Sequence, residues 1–181
     1  MSNAHYFVGI PVPSKYHAYF INLQQTLELE HYYRRVTHAT DLHCTLSFIG
    51  ELSSDQLQQL KQLLSELKGK PFSMSTTEIA GFGEGKIPRV VYTVVEGNQA
   101  LDELEQKVWA VTSRFGADRK SPYVPHVTLA KRARQIEDIR FTGQAQICWE
   151  VGEFCLFRVN KGMRPSYEQI ASFPLQLELL Q

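Results

Sequence analysis

Apolar residues along this chain recur in two rhythms, and the switches between them mark out its elements. The run HYFVGIPV, from His5 to Val12, is short, β-branched and aromatic, and Pro11 and Pro13 bring it to a stop; it predicts a first strand. Beyond it Tyr16, Tyr19, Phe20, Leu23 and Leu27 fall three and four residues apart, the spacing of one helical face, with Ser14 as the N-cap. A polar, basic loop leads on to Asp41. LHCTLSFIGE then alternates in part as a strand does and turns at Gly50. Ser53 and Gln56 form a capping-box pair for a second helix, which carries the stripe Leu57, Leu60, Leu63, Leu64 and Leu67 and stops at Gly69. Strands are expected from Phe72 to Ile79 and from Arg89 to Glu96, joined by GFGEGKIP. That segment lacks the Lys-Ser/Thr ending of a phosphate loop and reads as a connector. Asn98 caps a third helix whose buried stripe is Leu101, Leu104, Val108, Val111 and Phe115, closed by Gly116. After Pro122 and Pro125 comes HVTLAK, and two apolar strands, Glu153 to Val159 and Tyr167 to Leu175, follow.

The order strand, helix, His-x-Thr-Leu strand occurs twice. Val8 in the first leading strand precedes His43 by nearly the same interval as Tyr92 in the second precedes His126, with one residue of difference. Two half-length repeats of this kind predict an α+β fold rather than a doubly wound parallel sheet. The expected form is bilobed and pseudo-twofold, its duplicated β-α-β units contributing antiparallel sheets to a central cleft. Residues 1–181 are expected to form one domain of two intertwined lobes, one motif in each.

Composition narrows the partners. Of 181 residues 43% are hydrophobic, enough for a real core, and 19 Lys and Arg balance 19 Asp and Glu, so the global positive field of a protein that coats duplex nucleic acid is missing. Any RNA contact must be local. Cys44, Cys148 and Cys155 form no CxxC pair, and their odd number fits a reducing compartment, with the cytoplasm as the expected location. The opening MSNAHYFVGIPV is a poor signal peptide, and no apolar run approaches the roughly 18 residues of a membrane helix.

The chemistry is concentrated in His43-Cys44-Thr45-Leu46 and His126-Val127-Thr128-Leu129. On a strand, residues i and i+2 share a face, so each motif sets an imidazole beside a hydroxyl while its other two residues turn to the core. Two such strands would bring two His-Thr pairs face to face around a space that suits a phosphate. Opening a cyclic phosphodiester with water needs a base for the nucleophile and an acid for the leaving ribose oxygen, held in line. Histidine, with an ordinary pKa of about 6.5, serves either role near neutral pH. Two hydroxyls can bind the non-bridging oxygens.

Other residues add detail. From Arg114 to Arg140 seven basic residues (Arg114, Arg119, Lys120, Lys131, Arg132, Arg134 and Arg140) outnumber three acidic ones, a patch expected to guide an RNA end by its phosphates. Tyr123 is the better aromatic for stacking on a terminal base, with Tyr167 as another; core packing is the expected fate of Phe48. His5, His17, His31 and His38 show no metal-binding spacing, so no metal is expected.

These residues resemble the two-histidine phosphoesterase superfamily, and within it the bacterial and archaeal RNA 2′,3′-cyclic phosphodiesterases, historically called 2′-5′ RNA ligases, with their LigT-like fold. The similarity spans nearly the whole chain: YFVGIPVP, DLHCTLSFIGE, IPRVVYTVVE, YVPHVTLAKR and YEQIASFPL. It implies hydrolysis of a 2′,3′-cyclic phosphate at an RNA end to a 2′-phosphate, without a cofactor and with 2′-5′ ligation as a weak reverse reaction. His43 carries over as the acid and His126 as the base, and Thr45 and Thr128 bind the phosphate oxygens; beside them Lys131, Arg132 and Tyr123 are further candidate substrate-binding residues. Tyr92 stands where relatives often have Trp, and Lys131 where Arg is frequent, which affects specificity before reaction class. RNA ends or small nucleotides with a cyclic phosphate are the implied partners, and a monomer the expected state. Hydrolysis of 2′-5′ oligoadenylate or ADP-ribose 1″,2″-cyclic phosphate, and an RNA-end-binding module without turnover, are the alternatives.

Overall fold

The computed structural model describes residues 4–119 and 122–176. Its strands are β1 (His5–Pro11), β2 (Tyr33–Val36), β3 (His43–Glu51), β4 (Phe72–Phe82), β5 (Val90–Val95), β6 (His126–Ala133), β7 (Gln144–Val151), β8 (Glu153–Val159) and β9 (Tyr167–Pro174). Its helices are α1 (His17–Thr26), the single turn α2 (Leu29–Tyr32), α3 (Ser54–Ser65) and α4 (Gln99–Thr112). Strands and helices segregate as in an α+β fold. Among the described residues no helix is long and apolar enough to cross a membrane.

The strands form one antiparallel sheet in the order β7-β4-β5-β6-β3-β1-β8-β9, with β2 paired along β6. Read outward from its middle, the order repeats: motif strand β3, leading strand β1, then β8 and β9 on one side; motif strand β6, leading strand β5, then β4 and β7 on the other. A single residue pair, Cys44 with Val127, joins the two half-sheets. Beyond it β3 and β6 part, and β2 fills the gap against Ala130, Lys131 and Ala133.

The register also corrects the repeat. Gly9 pairs with Thr45 and Tyr92 with Thr128, so Gly9, not Val8, is the counterpart of Tyr92, and the one-residue discrepancy vanishes. In both halves a bulge follows the threonine: the ladder steps from Val8–Ser47 to Gly9–Thr45, and from Val91–Ala130 to Tyr92–Thr128, leaving Leu46 and Leu129 unmatched. A bulge reverses side-chain alternation. Phe48 and Lys131, each five residues after its histidine, are therefore turned to the histidine face.

The helices cross over. α4 packs against β3, where Thr112 Oγ1 meets Ser47 Oγ at 2.7 Å, and α1 packs against β6. Gln24 of α1 is buried, and its Nε2 donates to the carbonyls of Thr37 and Leu129. The latter is the bulge residue, whose ladder partner is missing. Tyr19, expected in the apolar stripe, is exposed instead, and Ser14 opens a 3₁₀ turn without making a side-chain cap. The other two helices start as read: Ser53 and Gln56 exchange both capping-box bonds, and Asn98 Oδ1 accepts from the amides of Ala100 and Leu101. β2, α2 and β7 lie outside the expected set.

Candidate active site

Each motif follows the alternation that its sequence demands. Cys44, Leu46, Val127 and Leu129 are buried in the core, while His43, Thr45, His126 and Thr128 retain partial exposure on the opposite face. The Cys44–Val127 pair fixes how these four meet. In an antiparallel register its flanking residues place His43 across from Thr128 and Thr45 across from His126. The two histidines are thus diagonal neighbours on adjoining strands, with stems roughly 7–8 Å apart, and not face to face across two sheets.

Both imidazoles are oriented by the same local device. His43 Nδ1 lies 2.6 Å from the carbonyl of Asp41, and His126 Nδ1 lies 2.7 Å from that of Val124, in each case two residues upstream. A carbonyl only accepts, so Nδ1 carries the proton in both rings and Nε2 is left for chemistry. The Thr45 hydroxyl, 2.9 Å from His43 Nε2, donates to it.

The surroundings of the two rings differ. His43 sits over Gly9, where a Cβ would come within 3.0 Å of the Cys44 carbonyl and 3.3 Å of the ring. Phe7 lies against it at 4.6 Å, and Phe157 and Tyr167 complete an aromatic wall. His126 instead meets the rings of Tyr92 and Phe82, both 5.0 Å away. Burial pushes the pKa of His43 down to about 4, opposed by its bond to the Asp41 carbonyl and reinforced by the charges of His126 and Lys131. Burial also lowers His126, against the pull of the Val124 carbonyl.

Beside the quartet opens a cleft of about 320 Å³, lined by His43, Thr45, Thr128, Lys131 and Tyr167 together with Arg34, Arg35, His38, Asp41 and Arg164. Asp41 is a buried carboxylate whose oxygens accept from the amides of Ser166 and Tyr167, tying the loop before β9 to the residue that orients His43. Lys131 reaches the Tyr167 hydroxyl at 3.3 Å.

Several expected site residues lie elsewhere. Tyr123 supports the site from beneath: its hydroxyl donates to the Thr45 carbonyl at 2.8 Å and touches Cys44 Sγ, its ring packs against the core, and it is not among the residues lining the cleft. Phe48, assigned to the core, is half exposed. Arg132 adopts a left-handed conformation (φ 62°) and is not among the residues lining the cleft. The basic run does not form one patch either. Arg119 makes a bidentate pair with buried Glu105, Arg140 donates to the carbonyls of Gly85 and Lys86, and Lys120 lies outside the described residues. The four other histidines are dispersed: His5 lies near Glu51, His17 bonds the Val12 carbonyl, His31 lies near Glu137, and His38 bonds Thr40. Sequence reasoning missed Gly9, Asp41 and the cleft arginines. Asp41 had one signal, its position two residues before the first motif histidine.

A family profile described as the 2′-5′ RNA ligase superfamily matches residues 17–162, both motifs included. The chain is a member of the 2′-5′ RNA ligase superfamily. Among relatives in that superfamily, an RNA 2′,3′-cyclic phosphodiesterase of Bacillus subtilis is 30% identical over 94% of this chain and 96% of its own length. One of Geobacillus stearothermophilus is 30% identical over 97% of this chain, which spans 58% of that longer relative. The fold is that of E. coli LigT, seen in complex with 3′-AMP (TM-score 0.81, 20% identity, 96% of this chain and 99% of that one). A Thermus thermophilus protein, TT0787, superposes with a TM-score of 0.79 at 22% identity, over 96% and 99% of the two chains.

Proposed function

We propose that this chain is an RNA 2′,3′-cyclic phosphodiesterase that opens a terminal cyclic phosphate to a 2′-phosphate through His43 and His126. The observation that carries the reading is the quartet: two imidazoles, each with Nδ1 held by a backbone carbonyl, alternate with two hydroxyls on one face of adjoining strands, and three of the four, His43, Thr45 and Thr128, line the cleft. Superfamily membership and the names of the Bacillus and Geobacillus relatives support it.

In the proposed reaction the phosphate lies over the quartet, its non-bridging oxygens bonded to Thr45 and Thr128. His126 Nε2 takes a proton from water as the water oxygen bonds to phosphorus. His43 Nε2 gives a proton to the 3′ oxygen as its bond to phosphorus breaks. The imidazoles then exchange protons with solvent to reset. Burial favours the neutral form of His43, and the anionic substrate, by favouring the charged form, prepares it to act as the acid. With a 5′-hydroxyl in place of water the same two transfers yield a 2′-5′ linkage, the basis of reversible ligation. The exposed ring of Phe48, on the histidine face, is available to the terminal base.

The test is product analysis on a short RNA with a defined cyclic end, in buffer containing a chelator. A 2′-phosphate product formed at an undiminished rate is expected. A 3′-phosphate product, or cleavage confined to internal 2′-5′ linkages, overturns the assignment.

A further inference from the structure

The charge around the cleft exceeds what one cyclic phosphate needs. Arg34, Arg35, Lys131 and Arg164 line it, and Asp41 is the one acid among the lining residues, with both carboxylate oxygens already engaged by backbone amides. None of the four cations takes part in an ion pair among the described residues. In a chain whose charges cancel overall this is a local excess, whereas a cyclic phosphodiester carries a single negative charge.

A second observation locates the excess. Arg35 stands directly opposite Lys131 in the β2–β6 ladder. Like charges at opposed positions destabilise an antiparallel pair, and an anion lying between them reverses that sign. Arg35 is also partly buried, so solvent and salt screen it less than a free surface arginine. Lys131 is three residues beyond Thr128 on β6, at most about 10 Å of extended strand. Long side chains reaching back cover the step from the reacting phosphate to its neighbour in the strand.

We propose that Arg35, Lys131 and Arg164 form a second anion subsite that holds the phosphodiester one nucleotide upstream of the reacting end. The preferred substrate is then an oligoribonucleotide with a cyclic terminus, not a cyclic mononucleotide; this rests on the phosphodiesterase reading of the quartet.

The experiment compares two dinucleotides with the same 2′,3′-cyclic end, one joined by a natural phosphodiester and one by an uncharged methylphosphonate. The wild-type protein should favour the charged linkage in kcat/KM by about 10- to 100-fold at low salt, the range for hydrogen bonds to a charged group. The preference should shrink as salt rises. In the double variant Arg35→Gln, Arg164→Gln, which leaves only Lys131 of the three, it should fall by about tenfold. A wild-type ratio near one, or the same ratio in the variant, overturns the subsite. If neither dinucleotide is turned over, the catalytic reading fails, and the subsite is decided by dissociation constants for unreactive dinucleotides ending in a 2′-phosphate. The same preference and the same fall are expected there, and their absence overturns the proposal.

Discussion

The two halves of the sheet share a backbone and differ in what surrounds it. Each holds its histidine by the carbonyl two residues upstream, follows its threonine with a bulge, and presents the fifth residue after the histidine to the same face. Yet His43 rests on Gly9 within an aromatic wall, whereas His126 lies against Tyr92 and Phe82, and the fifth residue is Phe48 in one half and Lys131 in the other. Duplication supplies matched geometry. Divergence gives the two rings unequal surroundings, within which burial lowers the pKa of both.

The strongest way to break the comparison is to remove each ring. His43→Ala and His126→Ala should each lower kcat on a cyclic-ended RNA by roughly 10²–10⁴-fold, the worth of one proton transfer, measured by single-turnover kinetics. If one variant keeps near-wild-type turnover, the halves do not share the reaction. Gly9→Ala sharpens it next, because the added methyl has only the 3.0 and 3.3 Å spaces beneath His43 to occupy. A loss of about 1–3 kcal/mol in denaturant unfolding is expected, with kcat falling more than KM rises; an unperturbed variant would show that Gly9 is not needed to seat the ring.

The smallest effect is on stability against pH. His43 in the fold resists the proton that the unfolded chain accepts below about 6.5, so its contribution is fully present above that pH. It is lost progressively as pH falls towards about 4. The urea midpoint should therefore drop between pH 7.5 and 5, by less in His43→Gln than in wild type, with a smaller correction in His126→Gln; equal slopes in all three would contradict the unequal burial. These pH values bracket the ordinary histidine pKa of about 6.5.

Most of the fold was legible because its signals are local. The capping box at Ser53, the asparagine cap at Asn98 and the leucine stripes specify their helices within a few residues. So is the quartet: period-two alternation at His43–Thr45 and His126–Thr128 suffices to put four polar groups on one face. What escaped depends on partners distant in sequence. Gln24 looks solvent-facing until the bulge carbonyl of Leu129 is brought over it, and Tyr123 looks like a stacking platform until Thr45 takes its hydroxyl. Arg119 reads as a free cation until Glu105 is seen buried beside it. β2 is too short to show a period, and its arginines gain meaning only when Lys131 stands opposite.

The seam at Cys44 and Val127 has a mechanical consequence. The paired seam is narrow, and packing bridges it from the other side of the sheet: α1, from the first half, lies on β6, and α4, from the second, lies on β3, like struts under a folding table. His43, Thr45, His126 and Thr128 lie along that crease, so a substitution that loosens either helix beneath it should be felt by the four groups above.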